Sequence, residues 1–304
     1  MGKVAFVFPG QGSQYVGMGK DVYEKFPEIE ELHHRVNEKL GFDLTKIIFE
    51  DEEKLNLTEY TQPAIVLTSY SLLYALKKIK PDIKPEFLAG HSLGEFSALT
   101  AGESLDPVEA VWITNIRGKL MQEAVPAGAG AMAAVIGIPS EEIEKILKEI
   151  NGIVEIANYN SYEQTVISGE KEAVEKAMEI LKEKGAKKVV PLAVSVPAHS
   201  TLLVDKAKEF EKYLNEIQIK DSKIPVVSNI TAKPIQSKEE IKGELGKHFY
   251  SPVKWVQSVE FMINNGVDTF IEIGPKKVLT GLIKRINRKV NLVNIQTLED
   301  IEKL

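Results

Sequence analysis

The sequence predicts an α/β protein built from a large core and a smaller inserted domain. Near the N-terminus, a continuous apolar run at 4–8 leads into a glycine-rich loop, which is the pattern of a buried strand. A second short strand at 87–90 is followed at once by a helix that ends at Gly102. Between 128 and 195, short strands alternate with two amphipathic helices. Strands that alternate with helices are typical of the α/β class.

The remaining elements of the large core follow from helix caps and apolar runs. Helical patterns dominate from the glycine-rich loop to about residue 80. Asp106 and Pro107 form an N-cap and first-turn pair, which predicts the start of a helix that ends near Pro126. The segments after the insertion predict a helix at about 200–215, strands at 224–229 and 269–274, and a helix at 278–286.

The segment at 128–195 is predicted to form a ferredoxin-like subdomain. Its strands and helices follow in the order β-α-β-β-α-β, which defines that unit. We therefore expect a core formed by residues 1–127 and 196–304, with the small subdomain inserted between its two segments. A ligand cleft is expected where the two parts meet.

Composition limits the classes of function. The 304 residues carry 43% apolar side chains, enough for a large core, and a net charge of −6 with a pI near 5.6 disfavours a general nucleic-acid binder. The chain has no cysteine, so covalent chemistry is left to Ser, Thr, Lys or carboxylate side chains, and no metal site is predicted. The first apolar run is too short for a signal peptide or a membrane span, so we expect a soluble, cytoplasmic protein.

The segment at 90–94, GHSLG, matches the G-x-S-x-G nucleophile elbow. In this motif the flanking glycines allow a strained turn that holds the serine hydroxyl above the end of the sheet. The helix after Ser92 places positive partial charge where an acyl oxyanion would form. A glycine-flanked serine also occurs by chance, but the strand before it and the helix after it favour Ser92 as a nucleophile in an α/β hydrolase-like core.

A serine hydroxyl needs a base, and the chain offers the histidines His33, His34, His91, His199 and His248. The first two lie on a charged helix and are predicted to be solvated. His91 precedes the nucleophile, so its side chain is expected to point away from that of Ser92 and to pack. His199 lies in a loop before a helix, where the helix dipole favours a neutral imidazole that accepts a proton. We predict His199 as the base, with helix capping or packing as the alternative.

The glycine-rich loop at 9–14, PGQGSQ, is not a nucleotide-binding motif. Tyr15 replaces the third glycine of a dinucleotide fingerprint, and Met18 replaces the lysine of a Walker A loop. Because the loop follows the first strand, its backbone N–H groups are expected to face Ser92 and to supply the second oxyanion-hole donor. A plain structural turn is the alternative.

Arg117 lies on an apolar helical stripe, with Ile113 and Met121 four residues to either side. A lone arginine in such surroundings requires an anionic partner. From the residues alone, a structural ion pair with an internal carboxylate and the binding of an acidic substrate both remain open.

Eight ordered segments carry a family resemblance: PGQGSQ, GHSLGE, RGKLMQEAVP, GAMAAVIG, NYNS with QTVISG, VSVPAHS, YSPVKW and EIGPKKVLTGLIKRI. Together they closely resemble the malonyl-CoA:acyl carrier protein transacylase family of bacterial type II fatty-acid synthesis. The resemblance extends from about residue 4 to residue 286 and is far more specific than the elbow alone.

The resemblance implies a ping-pong transfer that needs no cofactor. Ser92 would take a malonyl group from malonyl-CoA as an ester, and His199 would carry the proton. The phosphopantetheine thiol of acyl carrier protein would then take the acyl group. The backbone N–H groups of Gln11 and Leu93 would hold the oxyanion, and Arg117 would bind the free malonyl carboxylate.

Two further positions follow from the resemblance. Related enzymes commonly carry glutamine where this chain has His248, and in the family the backbone carbonyl of that residue orients the catalytic histidine. The resemblance thus implies a dyad without a carboxylate third member, and His248 is included among the predicted substrate-binding residues. Asn160, in NYNS, matches a family asparagine near the cleft and is included as a supporting residue.

Partners and alternative functions complete the prediction. Acyl carrier protein is acidic and this chain is acidic overall, so docking requires a local cationic patch, for which Lys284 and Arg285 are the candidates. An ordinary solvated helix end is the alternative. We expect a monomer that binds neither nucleic acid nor membrane.

Three other functions fit part of the pattern. A serine thioesterase or esterase would use the same elbow and histidine but deliver the acyl group to water. A polyketide-type acyltransferase would use another extender unit. A docking module without activity is disfavoured, because Ser92 and His199 are both present.

Overall fold

The chain forms a mixed α/β structure with two β-sheets, and the computed structural model describes residues 2–304. Over these residues the strands are β1 (Lys3–Phe8), β2 (Phe87–Gly90), β3 (Gly130–Ile136), β4 (Val154–Ser161), β5 (Gln164–Glu170), β6 (Lys188–Pro191), β7 (Val226–Val227), β8 (Pro234–Ile235), β9 (Val267–Ile273) and β10 (Asn291–Ile295). The larger sheet has the order β10-β9-β1-β2-β7-β8, and the smaller sheet has the order β4-β5-β3-β6.

Helices pack on both faces of the larger sheet. In the described chain they are α1 (Lys20–Lys25), α2 (Pro27–Leu40), α3 (Leu44–Glu50), α4 (Glu52–Leu55), α5 (Thr58–Ile79), α6 (Gly94–Ala101), α7 (Pro107–Gln122), α8 (Ser140–Lys148), α9 (Lys171–Glu183), α10 (Val204–Leu214), α11 (Lys238–Leu245), α12 (Trp255–Asn264), α13 (Val278–Ile286) and α14 (Leu298–Glu302). Successive side chains of a strand point to opposite faces. Phe6 and Phe8 therefore pack with α5, α6 and α7, whereas Ala5 and Val7 pack with α12 and α13.

The central strands of the larger sheet are parallel, and this arrangement positions the functional loops. β1 pairs in parallel with both β2 and β9, so that Phe6 lies opposite Leu88 on one side and Ile271 on the other. Because parallel strands end at the same edge, the loop at 9–14 after β1 and the turn at Ser92 after β2 lie side by side. β7 continues the parallel pairing, and β8 closes the edge as its antiparallel partner.

The smaller sheet is antiparallel throughout and has two different faces. α8 and α9 pack on one face through a cluster that includes Ile143, Val174 and Leu181. The other face carries Met132 and Val166 and forms one wall of a cavity. The helices thus shield one face of this sheet and leave the other available to line a binding site.

A short backbone bridge fastens the two sheets to each other. Val253, just before α12, donates its N–H to the carbonyl oxygen of Ala157 at 2.8 Å and accepts from the N–H of Tyr159 at 2.9 Å. The bridge ties β4 of the smaller sheet to the segment that leads into α12 against the larger sheet.

One predicted strand is shorter in the structure than in the sequence analysis. The apolar run at 224–229 contributes only the two residues of β7, and the backbone N–H of Asn229 bonds to the carboxylate of Glu95 instead of to a neighbouring strand. Across residues 2–304, no helix combines the length and the apolar character needed to cross a membrane.

The prediction that His33 is solvated is wrong. His33 is only 4% exposed, and its ring lies against those of Tyr23 and Phe49. Its Nδ1 lies 2.9 Å from Thr45 Oγ1, which satisfies one ring nitrogen inside this aromatic cluster. His34, the next residue, is exposed as predicted.

Candidate active site

A cavity of about 400 Å³ lies between the two sheets. Gln11, Ser92 and Arg117 line it from the side of the larger sheet, and Met132 and Asn160 line it from the smaller one. Concave, mostly apolar walls with a few convergent polar groups are typical of small-molecule sites. The cavity is therefore the candidate active site.

Ser92 occupies a strained turn between β2 and α6. Its φ of 53° lies in the left-handed region, which residues other than glycine rarely adopt. The turn is tight, because a Cβ at Gly90 would overlap the backbone of Gly94, and a Cβ at Gly94 would overlap the carbonyl of Phe8. Glycine is therefore required at both flanking positions of the G-x-S-x-G segment.

Ser92 and His199 form a hydrogen-bonded pair. The Oγ of Ser92 lies 2.8 Å from His199 Nε2, and His199 Nδ1 lies 3.0 Å from the backbone carbonyl oxygen of Ser251. A carbonyl can only accept, so Nδ1 carries the hydrogen and Nε2 keeps the lone pair that accepts the Ser92 O–H. This is the arrangement that a general base requires.

Burial keeps the His199 ring neutral. His199 is 4% exposed, and desolvation is the main cause that lowers its pKa to about 3. The positive charge of Arg117 and the nearby His248 lower this pKa further, while the hydrogen bond to Ser251 opposes the shift. The imidazole is therefore unprotonated at neutral pH, as the sequence predicts, but burial rather than a helix dipole is the principal reason.

His248 does not occupy the position that the sequence analysis gives it. The carbonyl that accepts from His199 belongs to Ser251, because His248 lies inside a 3-10 turn at Lys247–Phe249 and Ser251 follows that turn. The His248 side chain is 1% exposed, and it is absent from the described residues that line the cavity. Its Nε2 lies 2.5 Å from Glu95 Oε2, behind the elbow. The prediction that it binds substrate is therefore wrong.

Glu95, Glu244 and His248 form the one cluster of possible metal ligands among the described residues, with donor atoms within 4.8 Å of one another. A metal would have to lie between these atoms at bonding distance from each. Within this cluster Glu95 and His248 contact each other directly, which makes a buried polar contact behind the elbow.

Arg117 is buried beside the nucleophile without a carboxylate partner. It is 1% exposed; its Nη1 donates to Gln62 Oε1 at 2.9 Å, and its Nη2 lies 3.4 Å from Ser92 Oγ. Among residues 2–304, no carboxylate oxygen lies within 4.0 Å of this guanidinium. Desolvation lowers the pKa of Arg117 to about 9, so the group stays charged at neutral pH. The structural ion pair that the sequence leaves open is not formed.

The backbone N–H groups of Gln11 and Leu93 have no hydrogen-bond partner within the described chain. Both residues line the cavity, Gln11 after β1 and Leu93 at the N-cap of α6. The Gln11 side chain is held by Thr58, with Nε2 donating to Oγ1 at 3.0 Å. Free N–H groups at a helix N-terminus and in an adjacent loop are suited to binding an oxyanion.

Asn160 contacts His91 rather than the dyad. Its Oδ1 lies 2.7 Å from His91 Nε2, and the His91 ring packs edge-on against Trp255. Burial lowers the pKa of His91, so the neutral ring donates from Nε2 to the asparagine oxygen. As the sequence analysis expects, the His91 side chain bonds away from Ser92; both His91 and Asn160 line the cavity.

Lys284 and Arg285 are exposed on α13, close to the mouth of the cavity. Val278 and Leu282 of the same helix line the cavity. Arg285 Nη1 also donates to Gln164 Oε1 of β5 at 3.2 Å, which joins α13 to the smaller sheet at the rim.

Sequence reasoning misses four residues that surround the dyad: Gln62, Glu95, Asn229 and Ser251. Two of them carry a local signal, since Glu95 directly follows the elbow in GHSLGE and Gln62 is a lone amide within the apolar helix α5. Ser251 acts through a backbone carbonyl, for which the sequence offers no signal.

Comparison with known proteins agrees with this geometry. Residues 5–299 match the family described as acyl transferase domain. The chain is 46% identical to the malonyl CoA-acyl carrier protein transacylase of Staphylococcus aureus (strain MRSA252) over 306 positions, which cover 99% of this chain and 98% of that protein.

Two solved structures are similar to the whole chain. One is an acyl carrier protein S-malonyltransferase from Vibrio cholerae O1 biovar eltor, with a TM-score of 0.96, 41% identity and 99% of both chains covered. The other is a malonyl-transacylase in complex with a type II PKS acyl-carrier protein in its holo form, with a TM-score of 0.95, 41% identity, and 99% of this chain and 98% of that chain covered. With its nucleophile elbow and neutral histidine in contact, the chain belongs to the acyl transferase domain family.

Proposed function

We propose that this chain transfers a malonyl group from malonyl-CoA to the phosphopantetheine thiol of acyl carrier protein. The observation that carries the proposal is the buried guanidinium of Arg117, 3.4 Å from Ser92 Oγ and without an anionic partner in the described chain. An acyl group on Ser92 that ends in a carboxylate, as malonyl does, would supply that partner. The similar proteins of S. aureus and V. cholerae are named for the same transfer.

In the first half-reaction, His199 Nε2 takes the proton of the Ser92 hydroxyl while Oγ attacks the thioester carbonyl carbon. The new C–O bond moves negative charge onto the carbonyl oxygen, where the N–H groups of Gln11 and Leu93 stabilise it. The C–S bond then breaks, and coenzyme A leaves as a thiol that takes the proton from His199. The product is the malonyl ester of Ser92.

In the second half-reaction, the same groups work in the opposite direction. The phosphopantetheine thiol of acyl carrier protein gives its proton to His199 and attacks the ester carbonyl. When the C–O bond breaks, His199 returns the proton to Ser92 Oγ. The reaction uses these side chains and its two substrates, and we propose no cofactor.

Arg117 binds the malonyl carboxylate in this proposal. A guanidinium presents two parallel N–H donors that match the two oxygens of a carboxylate. Gln62 holds Nη1 at 2.9 Å and so fixes the plane of the guanidinium beside Ser92. Asn160, through His91, shapes the opposite wall of the cavity.

Acyl carrier protein is proposed to dock at the mouth of the cavity beside Lys284 and Arg285. Both side chains are exposed, and the helix that carries them also lines the cavity through Val278 and Leu282. An acidic carrier would thus meet positive charge at the place where its phosphopantetheine arm has to enter. We propose that the chain acts as a monomer, in the cytoplasm.

The domain division predicted from sequence is proposed in its finer form as well. Residues 1–127 and 196–304 would form an α/β hydrolase-like core, and residues 128–195 would form a ferredoxin-like subdomain. The parallel central strands and the Ser92 elbow support the first assignment. The strand order β4-β5-β3-β6, built from a β-α-β-β-α-β chain order, supports the second.

Intact-protein mass spectrometry tests the function. The protein is mixed with malonyl-CoA, acetyl-CoA and methylmalonyl-CoA in separate reactions. With malonyl-CoA, we expect it to gain the mass of one malonyl group, and we expect that group to leave when acyl carrier protein is added. Ser92→Ala is expected to abolish the adduct, and His199→Ala is expected to slow its formation by roughly 10⁴- to 10⁶-fold. Loss of the malonyl group to water before carrier is added would instead identify a thioesterase, and an adduct on Ser92→Ala would exclude Ser92 as the nucleophile.

A further inference from the structure

Asn229 brackets the nucleophile from behind. Its Oδ1 accepts from the backbone N–H of Ser92 at 2.7 Å, and its Nδ2 donates to the carbonyl oxygen of Gly90 at 2.6 Å. We infer that Asn229 is a positioning residue that holds the nucleophile elbow in its reactive conformation, and that Glu95 and His248 hold Asn229 in turn. The inference rests on the proposed function, because it concerns the rate at which Ser92 takes an acyl group.

The elbow needs such a support because its backbone is strained. A serine with a φ of 53° is strained relative to an ordinary conformation, and the surrounding contacts must offset that strain. Both bonds from Asn229 hold the backbone that leads into Ser92, one at the carbonyl of Gly90, two residues before it, and one at the N–H of Ser92 itself. A displacement of the backbone between Gly90 and Ser92 would break at least one of them.

The same bracket determines which N–H groups remain available to the substrate. The N–H of Ser92 is occupied by Asn229, whereas the N–H of Leu93, one residue later, has no partner in residues 2–304. Leu93 is therefore the elbow residue whose N–H is left for an oxyanion. Asn229 itself is absent from the described residues that line the cavity, so it acts on the reaction through Ser92.

A second layer of contacts fixes Asn229. Its backbone N–H donates to Glu95 Oε1 at 2.7 Å, and Glu95 Oε2 lies 2.5 Å from His248 Nε2. All three side chains are at most 2% exposed. Asn229 follows a strand of only two residues, so few ladder hydrogen bonds hold it, and the Glu95 carboxylate supplies the missing anchor. The buried contact of Glu95 with His248 would thus help to position Ser92 through Asn229.

Asn229→Ala tests the inference, with Asn37→Ala as the matched control. Asn37 also accepts from a backbone N–H, that of Leu44, and donates through its amide to Thr45 Oγ1, but it does not line the cavity. We expect Asn229→Ala to lower kcat for malonyl loading by roughly 100-fold, because a small misplacement of a reacting group is costly. KM for malonyl-CoA is expected to stay within about threefold of wild type, since the cavity lining is unchanged.

The control separates positioning from stability. Asn37→Ala is expected to lower the Tm and to keep the wild-type loading rate per folded molecule. An Asn229→Ala protein that loads malonyl at the wild-type rate per folded molecule would overturn the inference. A wild-type protein that never forms a malonyl-serine would instead overturn the proposed function.

Hydrogen exchange in the wild-type protein provides a second test that needs no folded variant. By NMR, the amide of Ser92 is expected to exchange much more slowly than that of Leu93, because Asn229 holds the first and nothing in the described chain holds the second. Equal, fast exchange of the two amides would show that the bracket is not formed in solution, whatever acyl group the enzyme accepts.

Discussion

A guanidinium that is buried without a carboxylate beside it makes the free protein less stable, and Arg117 is in this position. The neutral Gln62 satisfies one N–H group, and the charge of Glu95 favours the guanidinium without forming a direct ion pair with it. A ligand carboxylate would supply the missing charge at the moment of binding. We propose that the unfavourable environment of the free residue gives the site a preference for an acyl group that carries a carboxylate.

Arg117→Ala is expected to depress malonyl loading and to spare acetyl loading. Leaving a buried carboxylate without its partner costs about 2–5 kcal/mol. At about 1.4 kcal/mol per decade, this corresponds to a loss of roughly 30- to 5,000-fold in kcat/KM for malonyl-CoA. Acetyl has no carboxylate, so its kcat/KM is expected to hold or rise. Arg117→Lys is expected to recover only part of the loss, because a point charge does not reproduce the fork.

The measurement is kcat/KM for both thioesters in wild type and both variants. Equal losses for malonyl and acetyl, together with a lower Tm, would mean that Arg117 supports the fold and that specificity lies elsewhere.

The residues of the candidate active site differ in how far the sequence alone identifies them. Ser92 and His199 are found because each stands in a local pattern, an elbow and a loop before a helix. Gln62 and Asn229 are not found, because their partners lie 55 and 137 residues away along the chain. His33 is missed for a different reason. It lies four residues after Ile29 and three before Val36, so it continues the buried stripe of α2 that a periodicity count detects.

At the scale of elements, parallel pairing explains why the motif prediction succeeds. β1 and β2 are apolar runs with clear ends, and the loops after them must meet at one sheet edge. The length of β7 is overestimated from sequence, because the backbone N–H of Asn229 bonds to the distant carboxylate of Glu95 instead of to a neighbouring strand. A tertiary contact of this kind has no local signature.

The α13 helix carries a prediction about the carrier protein. The double reversal Lys284→Glu with Arg285→Glu is expected to lower kcat/KM for transfer to acyl carrier protein by about tenfold at low salt, since steering by charge is strongest there. Loading from malonyl-CoA is expected to stay near the wild-type rate. Lys182→Glu with Lys184→Glu is the control, because these exposed lysines lie at the end of α9, on the helix-covered side of the smaller sheet.

The measurement is the initial rate of transfer to acyl carrier protein at 20 and 200 mM salt for both double variants. These concentrations change the screening length roughly threefold. If both double variants lose the same activity, or neither loses any, the docking surface is not at α13.

For the whole molecule, the buried histidines predict a loss of stability in mild acid. Burial lowers the pKa of His33 to about 4 and of His199 to about 3, and it also lowers that of His91. Below the ordinary histidine pKa near 6.5, the unfolded chain therefore binds protons that the folded chain does not. The contribution of these neutral histidines to the free energy of unfolding is fully present above pH 6.5 and is lost as the pH falls toward 4.

Each such histidine contributes a slope of at most about 1.4 kcal/mol per pH unit to the free energy of unfolding. His33→Gln is expected to remove one of these contributions between pH 6 and pH 5, and His34→Gln, at the exposed neighbour, is expected to keep the wild-type slope. Urea denaturation at a series of pH values measures both slopes. Buried carboxylates whose pKa is raised, such as Glu272, add the same pH dependence to the wild type and to both variants. Identical slopes for the two variants would therefore contradict the prediction.

The backbone bridge at Val253 has a mechanical consequence. Two residues before Val253, the carbonyl of Ser251 accepts from the His199 ring and orients it. The backbone bridge between the sheets and the hydrogen bond to His199 therefore lie on one short stretch of chain. A displacement of the smaller sheet at this edge is transmitted through two peptide units to the imidazole. Such a displacement would turn the ring away from Ser92 and interrupt the hydrogen bond between His199 and Ser92.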